Sequence, residues 1–373
     1  LSISVTPATV SGGISANGTI NLTAPAPSGG LAVTLASSSS DATIPATVKI
    51  PEGKATATFT VKTIPVTTPT EVTITATSNA VVQTASLSIE PPALAAVTVS
   101  TASVHGGARA TGTVTLSGPA HAGGIVIQLA SGQEVATVPA TVTIAQNSSH
   151  ATFEINTIAV LSDTEVVITA SSNGISKTCD LKVEAPVLHS FTLSPTAVIG
   201  GSAVTGTLTL TSSAPYGGMT IELATNSKDA SVPVTVSVPA GATTTTFEIT
   251  TEGVTSQQNA DISAKLGSVT KPVTLTIKAS TISAFTLNPT SVVGGIATTG
   301  TIVLNGPAPT NGALIHLSSS NKAGDQPATL LIPSGQSSIS FTITTTAVKS
   351  QTSVHITASL DGSSKSASLT ITK

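Results

Sequence analysis

The chain has no tryptophan, one tyrosine, one methionine and one cysteine among 373 residues. A single cysteine excludes an intrachain disulfide framework, so thiols say nothing about compartment. Charged residues make up only 8%, against about 25% in an ordinary soluble domain. With a net charge of −3 there is no basic footprint for nucleic acid or an anionic membrane. No run of about 18 apolar residues is present, so no membrane span is expected. No stretch carries helical periodicity. The first residues, Leu1-Ser2-Ile3-Ser4-Val5, do not resemble a leader, which fits a processed product or a segment of something longer.

What the chain has instead is hydroxyl. Serine and threonine approach a third of the residues, far above average usage. Mean hydropathy is +0.38. Two readings follow: small apolar side chains fill cores, or some of them face neighbouring chains.

The chain also repeats. Phe59, Phe153, Phe247 and Phe341 stand 94 residues apart, and they are four of only six phenylalanines. Around them recur Ala57-Thr58-Phe59-Thr60-Val61, Ala151-Thr152-Phe153-Glu154-Ile155, Thr245-Thr246-Phe247-Glu248-Ile249 and Ile339-Ser340-Phe341-Thr342-Ile343. A fixed period overrides any domain count based on length. It predicts four repeats, at 1–92, 93–186, 187–280 and 281–373.

Each repeat reads as seven short alternating strands. In the first, Ile3 and Val5 open the pattern and Pro7 closes the strand, since proline cannot donate to a ladder. A glycine pair follows (Gly12-Gly13, Gly106-Gly107, Gly200-Gly201, Gly294-Gly295), suited to positive φ. Strands are then expected around Gly18–Leu22, Leu31–Leu35, Val48–Ile50, Phe59, Val72–Ala76 and Ala85–Ile89, separated by Gly- and Pro-rich turns. Seven such strands in about 100 residues predict an all-β immunoglobulin-like sandwich. The linkers Glu90-Pro91-Pro92-Ala93, Glu184-Ala185-Pro186-Val187 and Lys278-Ala279-Ser280-Thr281 are short, and proline stiffens two of them. Four sandwiches in an end-to-end rod are expected.

Ser117–Gly124, Val138–Ile144, Ala151-Thr152-Phe153, Val167–Ala170 and Gly174–Thr178 resemble tandem bacterial immunoglobulin-like (Big-type) repeats. The resemblance runs the length of the chain. It implies a secreted or cell-surface protein, such as an adhesin stalk, a surface fibre or an extracellular filament. It implies no single function, because one module serves many proteins. The chain lacks the inter-sheet disulfide and packed tryptophan of antibody domains. Phe59, Phe153, Phe247 and Phe341 are expected to fill that central volume.

No residue pattern points to chemistry. The six histidines (His105, His121, His150, His189, His316 and His355) share no repeat position and no metal-ligand spacing. Asp41 and Asp229 are equivalent, but Val135 and Ala323 take their place elsewhere, so no repeated calcium site is expected. Cys179 aligns with Ala85, Val273 and Ala367, which predicts a buried small apolar role. Glu154 and Glu248 fall on the outward side of their strands. Gly217-Gly218 precedes a strand and not a helix, so it is a turn and not a phosphate cradle. Asn17, Asn21 and Asn147 lie in glycosylation sequons.

The expectation is therefore a non-catalytic structural protein with no cofactor or metal. Its partners would be other copies of the chain, head to tail and laterally. A second reading is an adhesin stalk with a cell-surface or glycan ligand on loops such as Ala36–Asp41 or Ser318–Asp325; an exposed anchor such as Tyr216 would favour it.

Overall fold

The computed structural model describes residues 1–373, and every regular element is a strand. The first repeat contains β1 (Ser2–Thr6), β2 (Thr9–Ser11), β3 (Ala16–Asn21), β4 (Leu31–Ser37), β5 (Ala42–Thr43), β6 (Thr47–Ile50), β7 (Thr56–Thr63), β8 (Thr70–Ser78) and β9 (Val81–Glu90). The same order returns three more times. One sheet runs β1-β3-β7-β5 and the other β2-β9-β8-β4-β6. All pairings are antiparallel except β2 with β9, where Thr9 stands opposite Ser88 and Val10 opposite Ile89. Pro7 has no N–H to continue the first ladder. The chain leaves that sheet there and joins the second.

The seven expected strands are all present. The two additions, β2 and β5, are three and two residues long, too short to show any periodicity in sequence.

Alternation decides which residues go inside. In β4, Val33 and Leu35 are buried while Ala32 and Thr34 face out. Each fully buried isoleucine or leucine contributes about 1.5–3 kcal/mol. The buried residues fall into four clusters, each confined to one repeat. The chain is thus four immunoglobulin-like sandwiches in tandem. They pack as two compact units, Leu1–Ala185 and Pro186–Lys373, of two sandwiches each.

Phe59, Phe153 and Phe341 are buried, while Phe247 is half-buried. Each ring lies over a glycine on the neighbouring strand: Gly18 opposite Phe59, Gly112 opposite Phe153, Gly206 opposite Phe247 and Gly300 opposite Phe341. A glycine inside a strand is otherwise destabilising, and an aromatic ring laid across it restores the covered surface. In the third and fourth repeats a second phenylalanine stands beside the first. Phe191 and Phe247 have centroids 5.8 Å apart, and Phe285 and Phe341 6.0 Å.

Cys179 is half-buried, not buried as its apolar counterparts suggested. Its strand, Ile175–Glu184, has ten residues, against six to eight in the main strands opposite. Its first four residues are exposed, and Cys179 sits at the margin of the core.

Candidate functional site

Three kinds of surface could carry function: the outward sheet faces, the loops and the contacts between sandwiches. The outward face of the β1-β3-β7-β5 sheet carries a rung of hydroxyls. Ser4, Thr19 and Thr58 stand side by side across three strands. The same rung is Thr98-Thr113-Thr152, Thr192-Thr207-Thr246 and Thr286-Thr301-Ser340. Thr301 and Ser340 are hydrogen-bonded at 2.9 Å. Period-2 alternation placed these side chains outward. Only the strand order brings them into one row.

Charge on these faces is sparse and local. Arg109 pairs with Glu154 at 2.6 Å, both well exposed. Lys182 pairs with Asp163 at 2.7 Å, and Asp163 also accepts the Ala185 N–H at 2.9 Å. The Lys182 hydrogen bond, followed by the Ala185 one, holds the Asp163 carboxyl below its ordinary value. The same pair raises the Lys182 ammonium. Such exposed pairs stabilise little.

The histidines do not converge. His105 approaches Glu184 at 3.7 Å, and His355 Nδ1 lies 2.9 Å from Ser368 Oγ. No group of three or more His, Cys, Asp or Glu side chains is placed to hold a metal ion. Asp41 is engaged locally: its carboxylate accepts the Ser39 hydroxyl at 3.2 Å, and its N–H donates to the Ser39 oxygen at 3.1 Å. Tyr216 is 99% exposed, at the tip of Pro215-Tyr216-Gly217-Gly218.

The glycine pair after β2, expected as a turn, is held by a buried side chain. The hydroxyl of buried Thr63 donates to Ile14 O at 2.8 Å and accepts from Gly13 N at 2.9 Å. Thr157, Thr251 and Thr345 strap the other three turns in the same way. A threonine at the end of the phenylalanine strand in every repeat was the available signal, but its alternation parity marked it only as inward. Gly12 is required because a β-carbon there would lie 2.6 Å from Ile64 O. Gly13 has φ +88°, which side chains disfavour.

Two contacts between sandwiches use this turn. In the first unit, Pro119 packs against Gly13, and the Ser11 hydroxyl donates to Ser117 Oγ at 2.7 Å. In the second, Pro307 packs on Gly201, and Ser280 Oγ donates to Pro307 O at 2.8 Å. Beside the second contact is a cleft of about 280 Å³, lined by Val254, Ser280, Pro309, Leu314, His316 and Asp361. Its serine hydroxyl is already engaged by Pro307.

No protein-family model matches the chain, and no curated protein matches it. Among solved structures, invasin, a bacterial integrin-binding protein, aligns at 13% identity over 98% of this chain and 78% of its own, with a TM-score of 0.34. A tetra-tandem repeat from the extending region of a large adhesion protein aligns at 14% identity over 100% and 97%, with a TM-score of 0.29. A run of titin domains aligns at 12% identity over 75% and 97%, with a TM-score of 0.34. The fold assignment rests on the chain's own sheets and cores, since likenesses this distant carry no argument about function.

Proposed function

We propose that the chain is a non-catalytic structural segment of an extracellular filament or cell-surface fibre of bacterial type. The observation behind this reading is where the repeat is kept. The features shared by all four repeats, the phenylalanine on its glycine and the threonine across its turn, build the sandwich itself. The histidines and most charges differ from repeat to repeat and stand apart. Repeated units with no shared cluster of charged or titratable side chains suit a spacer or polymer, in which length is the product. The partners in this reading are other copies of the chain, associating head to tail and through the hydroxyl faces. Those faces are nearly uncharged, so covering them desolvates few ions.

Negative-stain electron microscopy over a concentration series tests it. Polymers that lengthen with concentration are expected. Single particles at every concentration would remove the self-association.

Tyr216 favours a second reading, an adhesin stalk. A fully exposed aromatic at a turn tip is an anchor of the kind that carries binding energy. Binding to a glycan or matrix protein that Tyr216→Ser abolishes would support it. Unchanged binding, or none, would remove it.

A further inference from the structure

The two sandwich-to-sandwich contacts are built from the same parts. The seat is the glycine-pair turn of the preceding repeat, strapped by Thr63 or Thr251. The insert is Gly118-Pro119 or Gly306-Pro307, on the loop after the third strand of the following repeat. Glycine is needed on both sides. A β-carbon on Gly13 would lie 2.2 Å from Pro119 Cγ, and one on Gly201 2.1 Å from Pro307 Cγ. A β-carbon on Gly118 would lie 3.0 Å from Gly12 O and from Ser11 Cβ, and one on Gly306 would lie 2.5 Å from the Ile199 side chain. Pro119 and Pro307 are half-buried. At the corresponding positions the first and third repeats carry Ala24-Pro25 and Ser212-Ser213, and Pro25 is exposed. Because proline fixes its own φ, the insert loses little freedom on docking.

We infer that Gly118-Pro119 and Gly306-Pro307 are latches that couple the two sandwiches of each unit, and that the strapped glycine pair is the surface they recognise. The partner this surface fits is a neighbouring sandwich with Gly-Pro at this loop position. The first residue of the pair discriminates, since any side chain there meets the seat. Coupling of this kind is reciprocal: what loosens the insert loosens the seat. The inference stands whether or not the chain belongs to a filament.

Hydrogen exchange on the full chain tests it. Gly118→Ser combined with Pro119→Ser installs the dipeptide of the third repeat. The Gly13 amide, which donates to Thr63 Oγ1, should then exchange roughly tenfold faster. The Ile74 and Leu87 amides in the core of the same repeat should stay unchanged. Pro25→Ser, at the equivalent exposed proline, should change neither. Gly306→Ser with Pro307→Ser should act on Gly201 in the same way. Exchange at Gly13 that stays at the wild-type rate would overturn the latch, as would an equal effect from Pro25→Ser. If the double substitution prevents the second repeat from folding, Pro119→Ala takes its place. It keeps the loop and removes the ring, and the same rise or constancy at Gly13 decides.

Discussion

The ring of Phe153 lies across the backbone of Gly112, its partner on the adjacent strand, so closely that a β-carbon on the glycine would lie 2.1 Å from the ring's Cζ. The two residues form one device. The glycine removes the side chain that would hold the ring away, and the ring covers the backbone that the glycine leaves bare.

Removing the ring leaves both a cavity and an uncovered glycine. Phe153→Ala should destabilise the second repeat by about 3–5 kcal/mol. Phe247 is half-buried, so Phe247→Ala should cost less. Denaturant titration of the two variants checks the order. Equal losses would show that exposure does not set the cost.

Filling the glycine should also be costly. Gly112→Val forces the ring out of place, at about 1–3 kcal/mol. In the fourth repeat a β-carbon on Gly300 would be 2.7 Å from the Phe341 ring, so Gly300→Val should be the milder change. Melting temperatures of the two variants compare them.

The threonine strap makes a different demand. Thr157→Val keeps the shape but leaves the Gly107 N–H and Ala108 O without their side-chain partner. A loss of about 1–3 kcal/mol follows from the unpaired groups. Thr157→Ser, which keeps the hydroxyl, should recover most of it.

Burial, with a smaller push from the Asp180 carboxylate, raises the Cys179 thiol above its ordinary value of 9.0. At neutral pH it should alkylate more slowly than a free cysteine in solution, and its rate should climb only as the pH approaches the raised value. A plateau rate reached near pH 8 would contradict this.

The Asp163–Lys182 pair has a defined pH window. The Asp163 value is lowered from 3.8, so its contribution is present above that ordinary value and lost as pH falls through the lower folded one. The Lys182 value is raised from 10.5, so its contribution is present below that value and lost as pH rises through the higher folded one. Asp163 is exposed and Lys182 half-exposed, and water screens such a pair, so Lys182→Met should change stability only slightly between these limits. Melting curves at pH 3, 7 and 11 would check the window.

The sequence by itself determined the period, the seven main strands and most of the core. Alternation has a period of two, and the surroundings of Phe59 return three times at constant spacing. That is enough to say which side chains of Leu31–Leu35 or Val72–Ala76 turn inward. It also marked Glu154 as outward, where the structure places it in an exposed pair with Arg109. The tertiary structure decided what depends on which strands become neighbours. Gly18 and Phe59 are 41 residues apart in sequence, as their numbering shows, and no local pattern joins them; ladder register does. The Thr63 strap, the hydroxyl rung from Ser4 to Thr58 and the seating of Pro119 on Gly13 are of the same kind. Each depends on a distance between segments, which a repeat in sequence can mark but cannot measure.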